Sequence, residues 1–243
     1  MIESDWRLHA SVVARAVMGS RKTIGTEFAV PTHPWLEIPL ADYEGHMALP
    51  SIAQAELLST TLARVCSTFQ PRSLAVLGVA GGNGLERVDP SVVKRVVAID
   101  FNPEYLRICS QRYAGSFERF EPILHDLSGG VPDVAAVECL FAGLVLEYLQ
   151  PEPRFGDLLS LLHEGGLFAV VLQMPSSPEV PVVSNSPFVS LAPLHSKFSF
   201  VRPEMMDAAL RAQGCSLVYA ETEMVCGKTF HSAAYRLDHR AGV

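Results

Sequence analysis

Residues 73–88, SLAVLGVAGGNGLERV, set an apolar run before a burst of small residues. Gly78, Ala80, Gly82 and Gly84, with Val79 and Asn83 between them, offer a backbone that a ligand can approach closely. The next apolar run, RVVAID, ends in Asp100, 22 positions after Gly78. A carboxylate about 20 residues beyond such a loop can accept hydrogen bonds from the two vicinal hydroxyls of a ribose. An acid at a strand end can instead cap the following helix, but in DFNPEYL the residue better placed to cap is Asn102. The pair therefore points to an adenosine-containing ligand. The dinucleotide fingerprint G-x-G-x-x-G fails, because after Gly82 and Gly84 the third position is Arg87. No G-x-x-x-x-G-K-[ST] loop occurs, and no basic residue stands inside the glycine stretch. An adenosine ligand without phosphates is favoured.

Such a loop works only if a fold holds it at a strand end. SLAVLGV, RVVAID, AAVECLF and LFAVVLQ are continuous apolar runs of the kind that form buried parallel strands. They alternate with segments of helical character, which predicts a doubly wound α/β domain with its ligand at the carboxyl ends of the strands. A helix is expected to follow the glycine loop and to turn its free N–H groups toward it. Ser51 to Phe69 is predicted helical, with Ile52, Leu57, Leu58, Leu62 and Val65 on one apolar face. Another helix starts at Asn102, with Pro103 and Glu104 in its first turn, and a third lies between Pro203 and Gly214. The tail, SLVYAETEMV, then Cys226-Gly227-Lys228, then TFHSAAYRL, reads as a closing antiparallel hairpin. Residues 1–50, with the interruption VPTHPWLEIPLADYEGHMALP, form an N-terminal segment ahead of the α/β domain at 51–243.

Composition narrows the partners. The 243 residues are 49 % hydrophobic and 19 % charged, enough for one substantial core. The net charge of -7 and the lack of a Lys/Arg cluster argue against nucleic acid. No run approaches eighteen apolar residues, and the acidic start MIESDWRLHASVVARAV is a poor secretion signal. Five cysteines without a C-x-x-C pair suit a reduced, cytoplasmic protein. The eight histidines lack metal-ligand spacing, so no metal site is expected, and there is no G-x-S-x-G elbow. Met205 and Met206 read as core. A small-molecule partner is expected, without nucleic acid or membrane, and nothing in the sequence sets an oligomeric state.

VLGVAGGNG, followed by VVAIDFNPEYL, HDL and a strand into FAGLVLEYL, resembles the class I S-adenosylmethionine-dependent methyltransferases over about residues 50–237. The resemblance implies a Rossmann-like, seven-stranded sheet with the last strand antiparallel, and a helical N-terminal cap of which WLEIPLADYEGHM is similar to known examples. It implies S-adenosyl-L-methionine as cofactor, lined by Gly78, Val79, Ala80, Gly82 and Asn83. Asp100 would hold the ribose hydroxyls with Phe101 beside the adenine, and Asp126 and Leu127 would meet the adenine amino edge. Phe141 and Ala142 would border the methyl group. The family carries Asp or Glu where Gly78 stands and Gly where Ala80 stands, and Glu86 or Asp42 could replace the missing acid.

Methyl transfer to a small molecule asks the protein chiefly to align the acceptor and exclude water. An oxygen or nitrogen acceptor can also need a base. Candidate bases are His46 and Tyr43 in the cap, Glu147 and Tyr148 after the fourth strand, and His195. His195 belongs to a stretch with prolines at 175, 178, 181, 187 and 193, read as a lid that forms the acceptor pocket with the cap. Two other readings stay open. One is a non-catalytic binding or partner subunit of the same fold, motivated by Gly78. The other is a nicotinamide-dependent reductase, disfavoured by the missing third glycine.

Overall fold

The computed structural model describes residues 33–149, 155–176 and 181–238. Residues 1–32, most of the expected cap, lie outside the described residues, as does Pro178. The seven strands are β1 (Ser73–Leu77), β2 (Arg95–Asp100), β3 (Arg119–Leu124), β4 (Val137–Gly143), β5 (Leu162–Gln173), β6 (Cys215–Val225) and β7 (Lys228–Leu237). They form one sheet in the order β3-β2-β1-β4-β5-β7-β6. Neighbours from β3 to β5 are parallel, while β7 runs antiparallel to both β5 and β6. The expected hairpin is present. Cys226 and Gly227 both have positive φ (48° and 80°), the backbone of a tight turn whose twist matches the strands it joins. Pro122 sits in β3, an outer strand, where a missing N–H leaves no ladder bond unmade.

Each central strand is buried on both faces, so alternate residues feed two cores. Leu57, Leu62 and Val65 of α2 (Gln54–Phe69), with Leu106 and Cys109 of α3 (Pro103–Tyr113), pack on Leu74, Val76, Val96, Ala98 and Phe141. On the other face, Leu158 of α4 (Phe155–Ser160) and Met206 and Leu210 of α5 (Pro203–Ala212) pack on Leu77, Ile99, Leu140 and Val170. Each such side chain contributes about 1.5–3 kcal/mol when fully buried. Within the expected cap segment, α1 (Leu40–Ala48) is described, and its Leu40 and Met47 are buried.

Three expectations are corrected. The Ser51–Phe69 helix begins only at Gln54, because Ala53 adopts a left-handed φ of 52° that an α-helix cannot contain. No α-helix follows the glycine loop. A single 3-10 turn, Leu85–Arg87, stands there, since Asp89-Pro90 breaks the short stretch before β2 begins at Arg95. The β3-to-β4 connection likewise carries only a 3-10 turn, Leu127–Gly129. Strand and helix therefore alternate less regularly than the sequence pattern suggests. No helix among the described residues is long and apolar enough to cross a membrane.

Candidate functional site

Strand register brings the key positions level. Leu77 pairs with Ile99 on one side and Ala142 on the other, so Gly78, Asp100 and Gly143 leave the sheet side by side. This is the switch point where connections diverge, and a cleft opens there. Gly78, Ala80, Asp100, Phe101, Asp126 and Leu127 line it together with Trp35, Tyr43 and Tyr105. No Lys or Arg lines it among the described residues.

Asp100 is 7 % exposed. Its Oδ2 accepts the Ala80 N–H at 2.9 Å and its Oδ1 accepts the Asn102 N–H at 2.9 Å. Burial pushes its pKa up, against the pull of the Asn102, Ala80 and Phe101 N–H groups. Helix α3 is capped by Asn102, whose Oδ1 accepts the N–H groups of Glu104 and Tyr105, so Asp100 is not the cap. Asp126 accepts the Ser128 N–H at 2.8 Å. Burial raises its carboxyl, but the Ser128 bonds and the neighbouring His33 and His125 bring the net shift below the ordinary range. His33 lies edge-on to Phe101, with ring centroids 4.9 Å apart.

The glycine loop carries its own geometry. A Cβ on Gly78 would fall 2.8 Å from a Val145 methyl, and its φ is +62°, so an acidic side chain does not fit at this position. Neither proposed replacement faces the cleft. Glu86 accepts the Gly84 N–H and the Tyr113 hydroxyl, and Asp42 accepts the Ser190 hydroxyl at 2.6 Å. Of the residues expected at the cofactor, Gly78, Ala80, Asp100, Phe101, Asp126 and Leu127 come together in the cleft. Val79 is buried and donates to the Ile99 carbonyl. Gly82 packs on Tyr113, and Asn83 donates to the Ala55 carbonyl at 3.0 Å beside a separate hollow. Phe141 and Ala142 are in the sheet core, and the cleft is bordered instead by the next residues, Gly143 and Leu144. Sequence reasoning missed Gly143 and Leu144 because β4 runs two residues past Phe141. It also missed His33 and Tyr105, while Trp35 lies in the WLEIPLADYEGHM stretch expected to form the cap.

An inner cavity adjoins the cleft. Trp35, Tyr43, Leu144 and Tyr148 line both spaces. The rings hold one another edge to face, Trp35–Tyr43 at 5.4 Å and Trp35–Tyr148 at 5.2 Å, while Tyr148 also meets Phe198 at 5.7 Å. Burial holds both tyrosine hydroxyls neutral, their pKa values well above the usual range: Asp100 and Glu44 add to the effect at Tyr43, Glu147 and Tyr43 at Tyr148. His46, 3 % exposed, faces this cavity with Nδ1 2.8 Å from the Ser186 hydroxyl. Burial and the nearby Lys228 lower its pKa, leaving a neutral imidazole.

The other two candidate bases stand apart. Glu147 is fully buried but lines neither space; its Oε1 accepts the Gln173 N–H at 2.8 Å and its Oε2 has no partner among the described residues. Burial pushes its carboxyl up to about 7. His195 is exposed and lines neither space. From the proline-rich stretch, Val182, Val183, Leu191 and Leu194 reach the inner cavity, opposite Met47 of α1. Among the described residues no group of three or more His, Cys, Asp or Glu side chains could hold a metal ion.

No protein-family model and no curated protein matches the chain. Solved structures do. The N-methyltransferase NodS from Bradyrhizobium japonicum, in complex with S-adenosylhomocysteine, superposes with a TM-score of 0.56 at 14 % identity, covering 75 % of this chain and 86 % of that one. The chain shares the Rossmann-like methyltransferase fold. Magnesium protoporphyrin IX methyltransferase from Synechocystis, also with bound S-adenosylhomocysteine, gives 0.57 at 11 % identity over 76 % of this chain and 83 % of that one. The [4+2]-cyclase SpnF gives 0.51 at 14 % identity over 68 % and 74 %.

Proposed function

We propose that the chain is an S-adenosylmethionine-dependent methyltransferase acting on a small-molecule acceptor. The observation that carries this reading is the buried carboxylate of Asp100, set against a backbone-lined glycine loop in a cleft with no Lys or Arg among its described residues. The Asp100 oxygens accept backbone N–H groups and keep acceptor capacity for vicinal hydroxyls. Phe101 and Leu127 supply apolar faces for an adenine, and Asp126 accepts hydrogen bonds at its edge. The absence of Lys and Arg from the lining suits a ligand without phosphates and disfavours a nicotinamide dinucleotide.

The cofactor would supply a methyl group already activated on a sulfonium. The chain's own work is then positioning. Trp35, Tyr43 and Tyr148 form the wall between the two spaces, exclude water, and set the acceptor against the cleft. His46, held neutral and oriented by Ser186, can receive a proton from the inner cavity. The test is titration of the full chain with S-adenosylmethionine and S-adenosylhomocysteine, with Asp100→Ala alongside. Binding of both, weakened in the variant by about 1–3 kcal/mol, is expected for loss of charge-assisted hydrogen bonds. No binding of either to folded protein, or an unchanged dissociation constant in the variant, overturns it. Gly78, with no room for the family's acid, supports a second reading in which the cofactor is bound but no methyl is moved.

A further inference from the structure

The inner cavity holds a buried cation with no carboxylate paired to it among the described residues. Lys228, the first residue of β7, is 3 % exposed. Its Nζ donates to the Val182 carbonyl at 2.7 Å and to Gln173 Oε1 at 3.3 Å, both neutral acceptors. An ammonium has three N–H donors, so one remains. No carboxylate among the described residues pairs with it, and burial alone lowers its pKa, to about 8. It is therefore mostly protonated at neutral pH, in a place where an unpaired charge is costly. Gln54, also buried at this cavity, has a side-chain amide with no hydrogen bond among the described residues. Apart from His46 and Ser184, the remaining walls are apolar or aromatic, Leu191, Leu194, Tyr148 and Phe198 among them.

We propose that this cavity binds a small monocarboxylic acid with an apolar body, its carboxylate paired with the Lys228 ammonium and its body against the aromatic wall. The proposal does not rest on the methyltransferase reading, although the cavity shares that wall with the cofactor cleft. A single cation argues for a single negative charge. A phosphate dianion would call for an arginine or a second lysine, and neither lines the space among the described residues.

The test is equilibrium binding of the full chain, with and without S-adenosylhomocysteine, to acetate, hexanoate, phenylacetate and indole-3-acetate, each beside its own amide. At least one apolar acid is expected to bind tenfold or more tightly than its amide, with acetate weakest. Lys228→Met should erase that preference while binding S-adenosylhomocysteine as the parent does. Acids and amides binding alike, or none binding at 10 mM, overturns the proposal even if S-adenosylhomocysteine binds. A preference for phenylphosphonate over phenylacetate also overturns it. Acid-selective binding in a chain that ignores S-adenosylhomocysteine would uphold the carboxylate site and remove the methyltransferase reading instead.

Discussion

The outer cleft and the inner cavity each contain a buried charge, and the two are treated differently. Asp100 has a backbone N–H on each carboxylate oxygen, drawn from the loop it faces and from the helix start that follows it. Lys228 has two neutral carbonyl oxygens and a donor to spare. The first charge is cushioned by N–H donors on both oxygens, although burial still outweighs them and holds its pKa above the ordinary range; what the fold would miss is a pair of acceptors for those donors. The second is an electrostatic burden that the folded chain carries until something negative arrives. Substitutions at the two sites should therefore change stability in opposite directions.

The largest effect is expected at Lys228. Its pKa is about 8 in the folded chain against an ordinary value near 10.5. The unfolded chain thus binds more protons between those limits, so stability climbs as pH rises from 8 to 10.5. Below about 8 the whole cost is in force. Lys228→Met should gain up to about 3 kcal/mol at pH 7 by chemical denaturation, and the gain should vanish above pH 10.5. A loss of stability at pH 7 would mean that the ammonium is already compensated. Glu147 gives the mirror case. Its carboxyl titrates at about 7 rather than near 4.5, so the folded chain holds the proton more tightly and stability falls as pH rises through that interval. Glu147→Gln should leave stability unchanged below pH 4.5 and raise it by up to about 3 kcal/mol above pH 7. A pH profile parallel to the parent's would place the unpartnered Oε2 in contact with a compensating group.

Although burial raises the Asp100 carboxyl as well, Asp100→Asn should move the other way, because two backbone donors depend on its two oxygens. An amide can accept at only one end, so either the Ala80 or the Asn102 N–H would face an NH₂ group. A stability loss of about 1–3 kcal/mol is expected at neutral pH, the scale of one buried donor left unsatisfied. If Asp100→Asn and Lys228→Met shifted stability in the same direction, the contrast between the sites would be lost.

The same contrast explains what could be read from sequence. The cleft is built by local signals: a strand end, a small-residue loop, and an acid at the end of the next strand. Those signals are contiguous in VLGVAGGNG and VVAID, so the positions of Gly78 and Asp100 were legible. The missing helix after the loop was not, because Gly84 and Asp89-Pro90 leave too few residues for more than a turn, a limit of length rather than of pattern. Phe141 and Ala142 were displaced from the cleft by two residues of extra strand. The inner cavity joins His46, Gln54, Gln173, Val182 and Lys228 from five separate elements, with no spacing to connect them. Lys228 in particular reads as an ordinary hairpin turn residue after Gly227. Only the sheet order, which folds β7 back between β5 and β6, buries its side chain.

The smallest effect sharpens the comparison on the cleft side. Ala80 has a φ of +47°, in the left-handed region that costs a residue with a Cβ about 1–2 kcal/mol. The conformation is imposed by the same bond that steadies Asp100, since the Ala80 N–H must point at Oδ2. Against the strain stands the packing of its methyl with Leu40 and Tyr105. Replacing it with glycine frees the backbone but also adds unfolded-state entropy, so Ala80→Gly should gain less than about 1 kcal/mol. Affinity for S-adenosylhomocysteine should stay within about threefold of the parent's, because Asp100 keeps its partner. A marked drop in affinity would show that the cleft depends on the strained alanine itself, and the loop would then be preorganised by its side chain rather than by its carboxylate.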